Sequence, residues 1–314
     1  MEPEAKNLVI VLGATAVGKS ATAILLAEEF NGEIINCDSM QVYKGFDIGT
    51  DKISSEQSKN IPHHLLDIAD ASTQFTAADF VKHALEAIRL VRENQKLPII
   101  AGGTGLYLKA LCEGLFPEGE KDQAIRAKLE QQVNDKGLEF LRESLLKIDP
   151  VYAKKIGARD KIRIIRALEV FYSTQKPISA HFANTRSQIK DFFILKIGLK
   201  LERSVLYRKI EDRVDRMFEK GIVEEVQHLL AAGVNLTSPP FRALGYRQVL
   251  KHLRGDISLE EAIDLTKKET RQYAKRQMTW FRKMEGIRWF ETDDFPAISA
   301  YMRTQLKGKW KKRS

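Results

Sequence analysis

Three short stretches of this 314-residue chain carry residue types whose spacing could do chemistry. Gly13-Ala14-Thr15-Ala16-Val17-Gly18-Lys19-Ser20 is a complete G-x-x-x-x-G-K-S loop. Its two glycines let backbone amides turn inward around phosphates, Lys19 can reach the outer phosphates, and the Ser20 hydroxyl suits Mg2+. Asp38-Ser39 ends one apolar run and Gly102-Gly103-Thr104-Gly105 ends another. A carboxylate beside a phosphate cradle either holds Mg2+ or accepts a proton from the attacking nucleophile. Gln41, three residues on, could share that pocket and read an adenine edge through its amide. Thr104 lies between glycines, so its hydroxyl can come close to a ligand.

The elements needed to position these groups are legible. Leu8-Val9-Ile10-Val11-Leu12 predicts a buried parallel strand before the loop, and Ala21 to Ala27 predicts a helix after it. Glu33 to Cys37 and Leu97 to Ala101 predict two more strands, separated by a helix over 75–93 with Phe80, Val81, Ala84, Leu85, Ile88 and Val91 on one face. Alternating strands and helices predict an α/β fold, a parallel sheet flanked by helices, whose ligands sit beyond the carboxyl ends of the strands. From 116 to 189 strand signals vanish. Helices are expected over 123–133, 138–146 and 160–171, with another starting at Asp149-Pro150. Phe192 to Leu199 then returns to strand character, long helices follow at 202–232 and 259–285, and a short strand is expected at 287–290. The expected organisation is a P-loop catalytic core from 1–115 and 190–314 interrupted by an all-helical insertion at 116–189.

Charge divides along the same line. Residues 1–115 carry a balance of −5 and the remainder +14, which sum to the formal +9. A basic second part suggests a polyanionic partner. Arg163 and Arg166 are spaced i, i+3 on the insertion. Arg242, Arg247, Arg271, Lys275, Arg276 and Arg282 interleave with Phe241, Tyr246, Tyr273, Trp280 and Phe281, a composition that grips phosphates and stacks bases but also builds packed helices. Arg213 and Arg216 lie in a charge-rich helical run that reads first as a solvated face. His63-His64 has no accompanying ligand spacing and is expected to be structural. Cys37 and Cys112 read as thiols of a reducing compartment. No run approaches the ~20 apolar residues of a membrane span, and the acidic start has no leader-like pattern, so a cytoplasmic protein is expected. Residues 307–314 form a basic tail. On residues alone, a small-molecule P-loop kinase using ATP and an RNA-binding ATPase remain open beside a transferase.

In order and spacing the chain resembles the bacterial tRNA dimethylallyltransferases. The resemblance rests on the phosphate loop, Asp38-Ser39-Met40-Gln41-Val42-Tyr43, Asp47-Ile48-Gly49-Thr50, Pro62 to Asp67, Gly102 to Tyr107, Arg166 to Val170, Gly245-Tyr246-Arg247-Gln248, Arg271 to Gln277 and Thr279 to Arg282. Ala14 and Val17 depart from the family's usual Pro and Ser. The resemblance implies transfer of a dimethylallyl group from dimethylallyl diphosphate to N6 of adenosine 37, in tRNAs reading codons that begin with U. It implies a nucleotide-type loop used for the leaving diphosphate, with Mg2+ as cofactor and a monomeric enzyme. Asp38 would accept the N6 proton, Thr104 would orient Asp38 or the leaving group, and Arg213 would stabilise the diphosphate. Contacts to the anticodon stem-loop would come from Asp38, Ser39, Met40, Gln41, Thr104, Arg126, Arg163, Arg166, Arg242, Gly245, Tyr246 and Arg247.

Overall fold

The computed structural model describes residues 6–114, 123–183 and 185–306. The tail at 307–314 and the expected boundary at 115–116 lie outside them. The chain forms two compact units: Met1–Lys109 with Asp191–Ser314, and Ala110–Lys190. In chain order the elements are β1 (Asn7–Gly13), α1 (Lys19–Phe30), β2 (Gly32–Cys37), the single turn α2 (Ser55–Ser58), β3 (His63–His64), α3 (Ala77–Glu93), β4 (Leu97–Gly102) and α4 (Gly105–Glu113). The second unit holds α5 (Gln123–Ile148), α6 (Pro150–Ala153), α7 (Lys161–Thr174) and α8 (Ile178–Ala183). The first unit resumes with β5 (Phe193–Lys200), α9 (Arg203–Glu219), α10 (Ile222–Ala231), α11 (Tyr246–Leu253), α12 (Leu259–Phe281), β6 (Ile287–Glu291) and α13 (Phe295–Gln305).

The six strands are all parallel in the order β3-β2-β4-β1-β5-β6. Every residue of β1, β2 and β4 is buried, as a sheet covered on both faces requires. Val9 lies between Ile99 and Leu195 in register, so β1 is central and its C-terminal end adjoins that of β4. One apolar cluster packs Val9, Val11, Ile99 and Ile197 against α1, α9, α12 and α13. A second joins Val42, Tyr43 and Phe46 to Val214, Met217, Phe241, Tyr246 and Val249, with Phe46 edge-on to Tyr246 at 5.0 Å. That cluster ties the segment after β2 to α9 and α11. The helical unit has its own core, including Leu129, Leu141, Leu145, Ile164, Ile165 and Leu168.

Several elements differ from the sequence expectation for local reasons. The continuous helix expected at 202–232 breaks at Gly221, whose φ of +90° ends α9 and begins α10. Gly137, at φ +82°, divides α5 between the two helical stretches expected there. His63 and His64, which carried no strand expectation, pair with Ile34 and Ile35 as an edge strand. Helices α4, α11 and α13 carried no expectation. Among the described residues no helix is long and apolar enough to cross a membrane.

Candidate active site

The glycine loop bridges β1 and α1. Gly18 takes φ +100° as the N-cap of α1, which leaves the first amides of the helix facing the loop mouth with their partial positive charge. Lys19 folds back and donates from Nζ to the Ala14 carbonyl at 2.7 Å. Burial lowers its amine to about 8, the nearby Arg213 pushes in the same direction, and Asp38 opposes both. The Ser20 hydroxyl is exposed on the first turn of α1.

Two neighbouring strand ends supply the rest of the edge. A Cβ on Gly102 would fall 2.0 Å from the Cys37 carbonyl, so only glycine lets β4 approach β2 this closely. Immediately beyond, Thr104 donates its amide to the Cys37 carbonyl at 3.3 Å and accepts the Ser39 amide on Oγ1 at 3.1 Å. Thr104 therefore orients the 38–39 backbone rather than the Asp38 carboxylate. Asp38 Oδ1 accepts the Met40 amide at 2.8 Å, which holds the side chain in a turn and leaves Oδ2 without a protein donor among the described residues.

A cavity of about 260 Å³ opens at this edge, lined by Thr15, Asp38, Ser39, Met40, Thr50, Arg213, Arg242, Arg247, Tyr273 and Arg276 among others. Arg213 donates from Nη1 to Thr15 Oγ1 at 2.7 Å and from Nη2 to the Thr50 carbonyl at 3.3 Å, with Nε 3.4 Å from Asp51. The expected solvated face of α9 thus sends one arginine onto the phosphate loop. Gln41 donates its amide nitrogen to the Thr50 and Asp51 carbonyls at 3.0 and 3.2 Å, so that end of the side chain braces the 50–51 backbone.

Tyr246 also departs from expectation. Its side chain is fully buried, its hydroxyl accepts the Gly49 amide at 3.1 Å and donates to Glu225, and Glu225 accepts the Asp47 and Ile48 amides. Tyr246 therefore holds the 47–50 turn that Arg213 and Gln41 also grip. Gly245, at φ +90°, is buried and donates its amide to Gln248 Oε1. Arg242 and Arg247 are exposed and line the cavity, Arg247 in an ion pair with Glu269. Tyr273 faces Asp38, and burial together with that carboxylate raises its phenol well above the usual range.

Gln277 and Glu225 carried no expectation. For Gln277 the signal was available in part: the buried stripe of α12 runs Ala262, Thr266, Thr270, Ala274, Gln277 and Phe281, and polar residues on an inward face must have partners.

A family model described as IPP transferase matches residues 41–284. The chain belongs to this family. The tRNA dimethylallyltransferase of Geobacter metallireducens is 50% identical over 290 residues, covering 92% of this chain and 94% of its own. Among solved structures, the full-length tRNA isopentenylpyrophosphate transferase of Bacillus halodurans is 39% identical with a TM-score of 0.71 and 96% of each chain covered. A eukaryotic dimethylallyltransferase captured acting on tRNA is 30% identical, with a TM-score of 0.79 over 95% of this chain and 78% of its own.

The remaining residues that the family resemblance singled out lie in the helical unit. Arg163 is exposed on α7, 3.4 Å from Asp160. Arg166 Nη1 and Arg126 Nη1 converge on the buried carboxylate of Glu169 at 3.2 and 3.7 Å. Arg126 also pairs through Nε with Glu130 at 3.1 Å, so it is shared between an exposed and a buried carboxylate. His63 and His64 bond the Ile61 carbonyl and Glu33, and no group of three or more His, Cys, Asp or Glu among the described residues could hold a metal.

Proposed function

We propose that this IPP transferase family member moves the dimethylallyl group of dimethylallyl diphosphate to N6 of adenosine 37 in tRNA, favouring tRNAs that read codons beginning with U. The observation that carries the reading is one cavity lined both by Thr15 of the glycine loop with Arg213 and by Asp38, whose Oδ2 has no protein donor among the described residues. Family members named for this reaction, similar over nearly the whole chain, support it.

An exocyclic adenine amine is a weak nucleophile, so the allylic carbon must be made electrophilic by stabilising the group that departs. In the transfer, the N6 lone pair bonds to the allylic C1 while the C1–O bond breaks and its electron pair leaves on the diphosphate. The α1 amides, the Lys19 ammonium and the Arg213 guanidinium would meet that developing charge, beside a cavity that Met40, Val214 and Met217 line with apolar side chains. The N6 proton passes to the Asp38 carboxylate, which Met40 holds by one oxygen while the other stays open. Thr104, by accepting the Ser39 amide, keeps the backbone that carries Asp38 at the strand end.

The donor set suits Mg2+: this ion uses one or two protein oxygens and fills its shell with phosphate oxygens and water, and Ser20 supplies an exposed hydroxyl beside the loop. Bound there, Mg2+ would neutralise diphosphate charge. The target base lies within a stacked anticodon loop and must be flipped out to reach the cavity. Arg242 and Arg247 at its rim, and Arg126, Arg163 and Arg166 on the helical unit, would hold the backbone of the stem-loop.

The deciding experiment is incubation with labelled dimethylallyl diphosphate, Mg2+ and bacterial tRNA lacking this modification, followed by nucleoside analysis. Label recovered as N6-dimethylallyladenosine supports the reading. No label from folded protein that binds tRNA refutes it and turns attention to ATP as the donor.

A further inference from the structure

Gln277 reaches the site from α12 and bonds the backbone of two separate segments with one side-chain amide. Its Oε1 accepts the Thr15 amide at 2.8 Å, and its Nε2 donates to the Gly103 carbonyl at 2.9 Å. Because one partner is a backbone N–H and the other a backbone C=O, the orientation of the amide is fixed by chemistry. The side chain is 5% exposed, and a Cβ on Gly103 would lie 2.2 Å from its nitrogen, so the space between the loop and the end of β4 is shaped for this residue.

The Thr15 N–H and the Ala14 C=O belong to one planar trans peptide and point in opposite directions. Gln277 grips the N–H, and on the other side of the same plane the Ala14 carbonyl receives Lys19 Nζ at 2.7 Å. Rotating that peptide would turn the carbonyl away from Lys19 and present an N–H to the ammonium instead. The Gly103 end of the contact adjoins Thr104, which holds the Ser39 amide.

We infer that Gln277 is a positioning residue: by locking the 14–15 peptide it sets where the Lys19 ammonium waits for the diphosphate, and it keys that cradle to the strand end beside Asp38. The inference rests on the proposed prenyl transfer and concerns the binding of its diphosphate.

The test uses the full-length protein with dimethylallyl diphosphate and undermodified tRNA. Gln277→Met fills similar space without either hydrogen bond, and KM for the diphosphate should rise about tenfold to a hundredfold while the Kd for tRNA changes less than about twofold. Gln277→Glu gives a signature that a purely structural role lacks. The neutral carboxyl can accept from Thr15 and donate to Gly103, whereas the carboxylate can only accept. The ratio of variant to wild-type kcat/KM should therefore climb as pH falls from about 8 to about 6, since burial raises the introduced carboxyl. Should Gln277→Met fail to fold, the Gln277→Glu ratio decides. Gly103→Ala, which displaces the same amide, should be non-additive with Gln277→Met. An unchanged diphosphate KM, a parallel loss of tRNA affinity or a pH-independent ratio would overturn the inference. Wild type that transfers no prenyl group would instead refute the proposed function.

Discussion

Arg213 Nη1 donates to Thr15 Oγ1 at 2.7 Å, joining residues 198 positions apart in the chain. Thr15 is thus held on its hydroxyl by α9 and on its amide by Gln277 of α12. The phosphate loop of this protein is a surface gripped from the C-terminal part of the fold. Arg213→Ala should lower the rate of prenyl transfer by about a hundredfold to a thousandfold, the scale on which removing one oxyanion donor acts. Arg213→Lys should recover little, because one ammonium cannot span Thr15, Thr50 and Asp51. Single-turnover transfer at saturating tRNA reads both.

Asp38→Ala should abolish transfer by about a hundredfold or more while tRNA binding stays nearly intact. Filter binding beside single-turnover kinetics separates the two. Loss of tRNA binding would make Asp38, through its turn with Met40, a structural residue.

The lowered amine of Lys19 has a signed consequence. Its folded pKa, about 8, lies below the ordinary 10.5, so the ammonium is lost as pH rises through 8. Diphosphate binding needs that charge and takes up a proton above this pH, so affinity should fall by up to about tenfold per pH unit between about 8 and 10. Between the folded and unfolded values the unfolded chain holds the extra proton, so this group makes the fold more stable as pH rises. Calorimetric titration in two buffers of different ionisation enthalpy reads the proton uptake directly.

Arg163→Ala with Arg166→Ala should weaken tRNA binding and reduce the slope of log K against log salt by about one per lost phosphate contact. The two single changes should differ. Arg163 is exposed, so its loss should leave thermal stability unchanged, whereas Arg166→Ala strips one of two partners from buried Glu169 and should lower Tm. An unaltered salt slope in the double variant would place these arginines outside the RNA interface.

Tyr246→Phe removes a hydroxyl that bridges the Gly49 amide and Glu225, and should cost about 1–3 kcal/mol. Thermal unfolding measures that cost. Because Tyr246 is buried, tRNA affinity should fall only as far as the 47–50 turn loosens.

Much of the site was legible because parallel sheets place ligands at a defined edge. The loop after β1, Asp38 after β2 and Thr104 after β4 follow from strand runs and what ends them, and Gly102 reports the close approach of β2 and β4. Arg213 was harder. The run Glu211 to Arg216 has the charge pattern of a solvated helix, and nothing local says which arginine turns inward. Gln41 and Tyr246 show what residue type and family resemblance leave out: the Gln41 amide nitrogen and the Tyr246 hydroxyl are held by neighbouring backbone groups.

By itself the sequence determined the alternation of strands and helices, the phosphate loop, the polar strand ends and the helices that lie between 123 and 183. These depend on periodicity and on neighbours a few residues apart, and a single chain records such relations. The tertiary structure alone decided that Arg213 and Gln277 both hold Thr15, that Gln277 fixes the peptide facing Lys19, and that Tyr246 works from within the core. Each of those is a hydrogen bond between segments tens to hundreds of residues apart. A donor's identity does not name its acceptor until packing has brought the two together and excluded the water that would otherwise serve.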